Sequence, residues 1–412
     1  MKKVLVLAGA NGNYNLGDDA MFEALVDYLQ KEMDLYIITD CWPWWRSDII
    51  QETIPYIHYS SKYRTIRKLI TYWRYFIAGF TAHLSKRFSF LIIDQILLRY
   101  INTIKNVDIV VFAGMGGMND NYVLSSHGIV SRGIVVKIAK VFKKPVVFAG
   151  NGIGPIRRWH LRFISSSYIK NVEKAFVRDK NGSKNALVSI GYPEQKIIET
   201  IDDVFFLKYS AEDKECIDQL LKEKNLENFV AINIHDWGKN KAALLIEMVS
   251  KTIGKELNNE TLLLVPNCYG KFGDDRVILK ELYRDLLRKG INCTMLEKQI
   301  NAKQTKYLIG KAKYSISTRY HIGAFGLSQN KPSVLLCLDD GYYKQKMEGI
   351  LGWYGIEEYA VEYDQTEDLD WKIKKMINKY GELTKTLRQK NIEIEQLGYL
   401  AGEYVIKKLK EK

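Results

Sequence analysis

Short apolar runs recur along the chain, and most of them end at glycine or at a polar turn. Three lie in the first half, at residues 4–9, 107–114 and 144–150. Five lie in the second half, at 228–235, 261–266, 292–297, 313–317 and 332–338. Strands that are apolar throughout and alternate with helices are typical of parallel sheets covered on both faces. The pattern therefore predicts an α/β protein with two doubly wound, Rossmann-like domains that face each other across a cleft.

A polar stretch rich in Lys and Glu interrupts the strand pattern between residues 206 and 228. We place the domain boundary there, which gives an N-terminal domain over 1–215 and a C-terminal domain over 216–412. The chain of 412 residues exceeds the ~250 to 300 residues at which single cores stop growing, so two domains are expected. The region from about residue 367 onwards, rich in Lys, Glu, Leu and Ile, predicts terminal helices.

The net charge of +13 is concentrated in one segment of the N-terminal half. Residues 61–105 contain nine Lys or Arg against a single acid, Asp94, and aromatic residues are interleaved with them. We interpret residues of about 58–105 as a basic, aromatic helical insertion that suits the anionic face of a membrane. The alternative is an insertion whose aromatic side chains pack on the domain while its lysines are merely solvated. No nucleic-acid-binding signature is present, so no nucleic acid partner is expected.

The placement of cysteine and histidine residues indicates the cellular compartment and whether a disulfide or metal site is expected. The five cysteines are scattered without a C-x-x-C pair, which favours a reducing cytoplasm over a disulfide framework or zinc site. No uncharged apolar run approaches the ~20 residues that a membrane span needs. We expect a cytoplasmic protein, either soluble or peripheral at the inner face of the plasma membrane. The histidines other than His321 have no metal-ligand spacing, so no metal is expected.

The segment from 313 to 352 places Arg319 and His321 after a short β-type run and before a small-residue helix start near Gly323. Open α/β sheets bind ligands at this carboxyl end of their strands. In an extended connection, residues two apart point the same way, so both side chains are expected to converge on one ligand while Tyr320 faces the other side. A guanidinium, an imidazole and free helix-start amides suit a carboxylate or a phosphate.

The first glycine-rich loop carries Gly9, Gly12 and Gly17, which do not have the G-x-G-x-x-G spacing of a dinucleotide site. It ends in Asp18 and Asp19 at a helix start, where two carboxylates would repel a phosphate. The loop therefore suits sugar hydroxyls or acceptance of a proton. The alternative is that Asp18 simply caps the helix.

Two further glycine-rich turns follow predicted strands, at Gly116 and Gly117 and at Gly152 and Gly154. They bring backbone close to the contents of the predicted cleft, unless they are only tight strand-to-helix turns. Arg178 ends another predicted strand and is a candidate anion ligand, although a surface pair of Arg178 with Asp179 is an equal alternative.

These motifs resemble, in order and spacing, those of the polysaccharide pyruvyl transferase family. The resemblance rests on N-Y-N-L-G-D-D-A at 13–20, F-A-G-M-G-G-M at 112–118, N-G-I-G-P at 151–155, V-R-D at 177–179, and the C-terminal set of Arg319, His321, Pro332, Tyr343 and Lys344. It covers nearly the whole chain. It implies a GT-B-like fold with the acceptor side in the N-terminal domain and the donor side in the C-terminal domain.

The resemblance also implies an activity, the transfer of the enolpyruvyl unit of phosphoenolpyruvate onto two sugar hydroxyls. The product is a pyruvate ketal on a cell-surface polysaccharide or its lipid-linked precursor, and phosphate is released. Arg319, Arg178 and Lys344 would hold the donor, His321 would be the acid, and Asp18 or Asp19 the base. No cofactor is expected beyond phosphoenolpyruvate as co-substrate.

One position departs from the family's pattern. Many members have a histidine after the second strand of the C-terminal domain, and this chain has Asn267 there, which can bind a ligand but cannot shuttle a proton. Two other functions stay open: a nucleotide-sugar glycosyltransferase of the same fold, for which Asp339 and Asp340 are candidates, and a non-catalytic glycan-binding protein at a membrane surface. The W-P-W-W-R loop at 42–46 offers flat faces for a pyranose, or is a packed aromatic cluster.

Overall fold

A computed structural model describes residues 1–8, 15–40, 50–57, 64–121, 125–236, 241–270, 273–339 and 341–411. The predictions for Gly9, Gly12, Asp340 and the loop at 42–46 lie outside these residues. Within the described ranges, the chain alternates between strands and helices almost throughout, as the apolar pattern predicts.

Two parallel sheets form the framework. In the first sheet the strand order is β3-β2-β1-β4-β5-β6-β7, and in the second it is β10-β9-β8-β11-β12-β13. The strands of the first sheet are β1 (Lys2–Leu7), β2 (Leu35–Thr39), β3 (Glu52–Thr53), β4 (Ile109–Phe112), β5 (Val146–Asn151), β6 (Lys174–Val177) and β7 (Ile197–Glu199). Those of the second sheet are β8 (Phe229–Asn233), β9 (Thr261–Leu264), β10 (Cys293–Met295), β11 (Ser315–Ser317), β12 (Ser333–Cys337) and β13 (Ala360–Glu362).

Helices connect the strands and complete the α/β pattern. They are α1 (Leu16–Glu32), α2 (Arg64–Phe88), α3 (Gln95–Asn106), α4 (Ser125–Val141), α5 (Trp159–Ile169), α6 (Gly182–Ser189), α7 (Ala211–Glu223), α8 (Ala242–Glu256), α9 (Asp275–Arg288), α10 (Ala302–Lys311), α11 (Tyr320–Leu327), α12 (Tyr342–Leu351), α13 (Thr366–Asn378), α14 (Tyr380–Leu397) and α15 (Leu400–Lys410). The central strands β1, β4, β8 and β12 are buried along most or all of their length, because helices cover both faces of each sheet.

The chain forms two compact units, which we call unit 1 and unit 2. Unit 1 contains residues 1–11, 21–201 and 399–412, and unit 2 contains 12–20 and 202–398. Each unit holds one of the two sheets, so the prediction of two doubly wound, Rossmann-like α/β domains is confirmed.

The units divide the chain after Ile201, whereas the sequence places the boundary at 215/216. The polar stretch that suggested a linker is largely the helix α7, which begins with a capping box between Ser210 and Asp213 and buries Ile217 and Leu221. Its other face is solvated, so its composition is that of an amphipathic helix rather than a linker. Two short segments also change unit: 12–20 lies in unit 2, and 399–412 lies in unit 1.

Candidate functional site

The second sheet reverses its direction of growth between β8 and β11, which are neighbours although β9 and β10 lie between them along the chain. In open α/β sheets, ligands bind outside the carboxyl ends of the strands at such a switch point. His235 follows β8 and Arg319 follows β11. Unit 2 therefore has a candidate site at this edge, and Arg319 and His321 of the sequence prediction belong to it.

Arg319 is the residue that precedes α11, and a buried carboxylate holds its guanidinium. Nε lies 3.2 Å from both oxygens of Asp275, and Nη2 lies 2.6 Å from Asp275 Oδ1. Burial lowers the pKa of Arg319, but the negative charge of Asp275 more than offsets this and keeps the pKa above its ordinary value. The third nitrogen, Nη1, donates no hydrogen bond to any of the described residues. It therefore stays available to donate to a ligand.

Asp275 also fixes the backbone around Arg319. Its Oδ2 accepts hydrogen bonds from the amide of Asn267 at 3.0 Å, the amide of Cys268 at 3.1 Å and the side chain of Asn233 at 3.3 Å. Asn233 Oδ1 in turn lies 3.3 Å from the amide nitrogen of Arg319. This network ties the ends of β8, β9 and β11 together and presents the guanidinium in one orientation.

His321 lies in the first turn of α11 with its imidazole nearly buried. Nε2 is 3.9 Å from Oδ2 of Asp202, a carboxylate that also caps a short 3-10 turn through the amide of Val204. The Nδ1 side of the ring packs against Gly17, where an added Cβ would come within 1.7 Å of Nδ1. The carboxylate of Asp202 beside one ring nitrogen makes His321 a candidate for holding and transferring a proton.

The helix after Arg319 begins three residues earlier than the sequence predicts. Tyr320 and His321 are helical, so the alternation of an extended strand does not set their directions. Instead, Arg319 reaches the start of α9 at Asp275, and His321 reaches Asp202 and Gly17. The two side chains belong to one site because the network around Asn267 and Cys268 links their surroundings, rather than because they point the same way.

The start of α1 completes the site from the other end of the chain. Asn15 pairs with Cys268 in an isolated bridge, and the amide of Leu16 donates to the carbonyl of Asn267 at 3.0 Å. Asn15 Oδ1 accepts from the amide of Gly17, and Asn15 Nδ2 donates to Asp18 Oδ2 at 3.0 Å. Asn15, not Asp18, therefore occupies the capping position, and Asp18 is in the first turn.

Asp18 and Asp19 differ in their surroundings. Asp18 is partly exposed, and its carboxylate is held by Asn15. Asp19 is buried. Both belong to unit 2 together with Arg319 and His321, so the two carboxylates that the sequence singles out share a unit with the predicted acid.

Asn267, the position that departs from the family's pattern, has a structural role in unit 2. Its Nδ2 donates to Asn15 Oδ1 at 3.3 Å, and its backbone is bonded to Leu16 and Asp275. Its Oδ1 is buried and accepts no hydrogen bond from the described residues. A ligand that carries a hydroxyl or ammonium donor would satisfy this oxygen.

A second histidine at this edge, His235, is buried between two hydroxyl groups. Its backbone amide donates to Thr318 Oγ1, the same hydroxyl lies 2.7 Å from Nδ1, and Tyr343 Oη lies 2.9 Å from Nε2. Burial lowers the pKa of His235 well below its ordinary value, and the positive charges of Arg319 and Lys346 add to this.

Lys344 is on the surface of α12 and forms an ion pair with Glu362 at 3.0 Å. It lines a cavity of about 520 Å³ together with acidic residues of the β13 edge. The structure thus places Lys344 against Glu362, while its neighbour Tyr343 faces the core with Met347, Ile350 and Leu351, the stripe that the sequence predicts.

Arg178 and the two glycine turns are in unit 1. Arg178 is buried, and its guanidinium packs over Gly152, where an added Cβ would lie 3.0 Å from Nε. The turns also pair with each other, since the amide of Gly152 donates to Met115 and the amide of Gly154 donates to Met118. A Cβ on Gly117 would lie 2.4 Å from Cε of Met115, and one on Gly154 would lie 2.6 Å from Cβ of Ala186. The carbonyl of Gly116 accepts a hydrogen bond from the side chain of Asn119. Close contacts within unit 1 therefore leave little room for a side chain at Gly117, Gly152 and Gly154.

Sequence reasoning did not find Asp202, Asp275 or Asn233, because each acts through a partner that is distant along the chain. It also missed Asp40, which follows β2 in unit 1 and accepts a hydrogen bond from the amide of Ala8 at 3.2 Å. Burial raises the pKa of Asp40 to about 7, although the nearby Arg132 lowers it. Its position directly after the apolar run at 35–39 is the signal that could have found it.

Comparisons with known proteins agree with this architecture. HepE from Anabaena, solved with UDP and glucose, matches with a TM-score of 0.59 at 11% identity, and the alignment covers 100% of both chains. UDP-GlcNAc 2-epimerase from Neisseria meningitidis matches with a TM-score of 0.56 at 13% identity over 100% of both chains. MnaA from S. aureus, solved with UDP, matches with a TM-score of 0.59 at 12% identity over 98% of this chain and 95% of MnaA.

These identities are low, so the likeness shows the fold alone, which is the GT-B-type pairing of Rossmann-like domains that the sequence predicts. No curated protein sequence matches the chain. The sequence profile of the polysaccharide pyruvyl transferase family matches residues 15–337, which include Asn15, Gly17, Asp202, Asp275, Arg319 and His321. This match extends over more than half of the sequence, and the chain therefore belongs to the polysaccharide pyruvyl transferase family.

Proposed function

We propose that the protein transfers the pyruvyl group of phosphoenolpyruvate onto two hydroxyls of a sugar in a cell-surface polysaccharide or its lipid-linked precursor. The products are a pyruvate ketal and phosphate. The observation that carries this proposal is the pairing of Arg319 with Asp275 and of His321 with Asp202 at the switch point of unit 2, in a chain of this family.

The donor would bind through Arg319. Asp275 immobilises the Nε and Nη2 edge, which leaves Nη1 to donate to the carboxylate or the phosphate of phosphoenolpyruvate. The positive end of α11 adds to the attraction for an anion. Arg178 and Lys344 remain proposals as further donor ligands, and Asn267 Oδ1 is a candidate acceptor for a sugar hydroxyl.

The acid would be His321. A proton from the imidazolium adds to the methylene carbon of phosphoenolpyruvate, so that C2 becomes cationic and one sugar hydroxyl attacks it. Asp18 or Asp19 would take the proton of that hydroxyl. The second hydroxyl then replaces phosphate at C2, and its proton leaves with the phosphate. Asp202 supports the imidazolium before transfer, and this scheme uses no metal or further cofactor.

The first test asks whether the protein uses phosphoenolpyruvate or a nucleotide sugar as its donor. Phosphoenolpyruvate should raise the melting temperature of the protein, and phosphate should be released only when a sugar acceptor is also present. UDP-glucose is the comparison ligand, because HepE was solved with UDP and glucose. Stabilisation by UDP-glucose and not by phosphoenolpyruvate would favour the nucleotide-sugar glycosyltransferase. Binding of glycan with turnover of neither donor would favour the non-catalytic glycan-binding protein.

The second test uses two variants and their controls. Arg319→Lys keeps the charge but loses the fork, so donor affinity measured by calorimetry should fall by about 1 to 3 kcal/mol, whereas Arg276→Lys, on the nearby surface of α9, should bind as the parent does. His321→Gln should lower turnover by roughly 10²- to 10⁴-fold and leave donor binding largely intact. His160→Gln is its control. Equal affinity in Arg319→Lys would remove Arg319 from the site, and a raised KM with parental turnover would make His321 a binding residue.

A further inference from the structure

The helix α2 of unit 1 has an apolar face that points away from the protein. Leu69, Trp73, Phe76 and Phe80 recur at helical spacing, and Phe80 is 72% exposed. The face continues into the turn that follows, where Ile93 is 92% exposed. We call this set the apolar stripe, and its members are Ile66, Leu69, Trp73, Phe76, Phe80, Phe88, Phe90, Leu91 and Ile93. Soluble surfaces seldom leave so many large apolar side chains together, which marks an interaction surface.

The opposite face of α2 is packed firmly into unit 1. Tyr75, Ala78 and Ala82 are buried, and the Tyr75 hydroxyl contacts Ser167 of α5. Lys137 of α4 donates to the carbonyl of Tyr75 at 3.1 Å. The helix therefore has a complete core-facing side, and the apolar stripe is not a core face that the fold has left uncovered.

A buried ion pair between Arg74 and Asp94 holds the turn between α2 and α3. This turn carries the last members of the apolar stripe, within residues 88–93, which we call its tip. Arg74 Nε lies 2.6 Å from Asp94 Oδ2, and Arg74 Nη1 donates to the carbonyl of Ile57 at 2.6 Å. Asp94 also caps α3 through the amide of Leu97. The interaction fixes α2 and α3 at a bend of 114°. Among the residues that the structure describes, no single helix is long and apolar enough to cross a membrane. The bent pair of α2 and α3 reaches that length and composition only when both helices are counted together.

Basic residues accompany the stripe along the sequence, and of these Arg99 is paired with Glu52. Residues 61–105 hold nine basic residues, and their one acid, Asp94, is engaged by Arg74. Lys86 and Arg87 are exposed beside the tip. The start of α5 continues the pattern, since Trp159 and Phe163 are exposed and Arg157 and Arg158 precede them. Helix α5 packs against α4, on which α2 also packs.

We propose that the apolar stripe docks unit 1 on an anionic lipid bilayer, with the aromatic side chains at the headgroup boundary and Lys86 and Arg87 at the lipid phosphates. A helix that combines an apolar face with flanking basic residues is suited to lie in the plane of such an interface. A second copy of the chain would bring the same basic residues against each other, so charge disfavours a symmetric dimer through this face. The proposal is independent of the proposed transfer reaction.

The test is co-sedimentation of the full chain with vesicles. The parent protein should sediment with phosphatidylcholine vesicles that contain phosphatidylserine, far less with pure phosphatidylcholine, and progressively less as salt is raised. The triple variant Trp73→Ser, Phe76→Ser and Phe80→Ser should bind at least about tenfold less. The matched control substitutes Leu244→Ser, Val277→Ser and Trp371→Ser, which are exposed apolar residues of unit 2, and should bind as the parent does.

A second variant separates charge from apolar contact. Lys86→Gln with Arg87→Gln should weaken binding to anionic vesicles and flatten its salt dependence, while the melting temperature stays at the parental value because both side chains are exposed. The proposal is overturned if the parent ignores anionic vesicles at low salt, if it binds neutral vesicles equally well, or if the stripe variant binds as tightly as the control. A parent that dimerises without lipid, and a stripe variant that does not, would assign the face to a second copy instead.

Discussion

The buried pair of Asp275 with Arg319 sets the geometry of the candidate site at the scale of single residues. The Asp275 side chain is 1% exposed and also accepts from two backbone amides and from Asn233. A buried ion pair contributes little net stability by itself, but the loss of one partner leaves an uncompensated charge. The pair is therefore best understood as a device that orients Arg319.

We predict that Asp275→Asn destabilises the protein by about 3 to 5 kcal/mol, because the Arg319 guanidinium loses its only near countercharge among the described residues. In addition, the new amide NH2 must face either the guanidinium or the two backbone amides, and all of these are donors. Asp285→Asn, on the same helix α9, breaks a solvated pair with Lys289 and should cost at most about 1 kcal/mol. Urea unfolding of both variants measures the difference. Equal losses would show that Asp275 has no special role.

A second prediction concerns pH. Burial raises the pKa of Asp40 to about 7, while the unfolded chain keeps an ordinary carboxyl of about 3.9. Between these values the folded state binds the extra proton, so stability falls as pH rises, by about 1.4 kcal/mol per unit at most, and levels off above pH 7. Asp40→Asn should lose this slope. We would measure unfolding of both proteins from pH 4 to 8, and parallel pH curves would contradict the assignment.

At the scale of elements, the contacts of the first turn of α1 are the ones that the sequence predicts least well. Its residues 15–20 follow a strand of unit 1, yet they form backbone and side-chain hydrogen bonds with Asn267 of unit 2. Gly17 is required there because His321 leaves no room for a side chain. Close approach of a helix start to an imidazole explains why glycine stands between Leu16 and Asp18.

We predict that Gly17→Ala lowers turnover by at least about 10²-fold, because a Cβ at 1.7 Å from Nδ1 displaces the proposed acid or the helix start. Gly254→Ala is the control, since nothing lies within 4 Å of a Cβ there and the residue is inside α8. It should keep full turnover and gain up to about 1 kcal/mol in stability. Normal turnover in Gly17→Ala would show that His321 and α1 can move apart without cost.

The strands show how much of the fold was predictable. Each apolar run that the sequence analysis identified is a strand, because fully buried parallel strands are apolar on both faces. The edge strands β3, β7 and β13 did not stand out, since they are short and only partly buried. The helix α7 lies where the sequence analysis places the domain boundary, because its charged exposed face interrupts the apolar pattern.

The candidate site was predictable only in part. The placement of Arg319 and His321 at the carboxyl end of β11 followed from the strand pattern, and their roles stay predictions. Asp202, Asp275 and Asn233 could not be found, since a carboxylate or amide with no local motif acquires its role only when distant segments meet. The sequence also gave no sign that Arg319 would be neutralised by a buried partner.

At the scale of the whole molecule, the last helix belongs to the sheet formed by the start of the chain. α15 lies against β4 and β5, with Val405, Ile406 and Leu409 buried. Tyr404 donates to Glu173 at 3.1 Å, and Gly402 packs against the ring of Tyr28. The division of the chain into units therefore does not follow sequence order, and the stability of unit 1 depends on residues 399–412.

We predict that truncation before Tyr399 selectively weakens unit 1. Each buried aliphatic side chain contributes about 1.5 to 3 kcal/mol, so the loss of Val405, Ile406 and Leu409 removes on the order of 5 kcal/mol, comparable to the whole stability of a typical domain. Hydrogen exchange should show lost protection in β4 and β5 but retained protection in β8 and β12 of unit 2. Lys408→Gln in the full chain, which removes the ion pairs with Glu173 and Glu411 but keeps the buried apolar side chains, should leave both sheets protected. Unchanged protection of β4 after truncation would mean that α15 is dispensable, and equal loss in both sheets would mean that the two units unfold together.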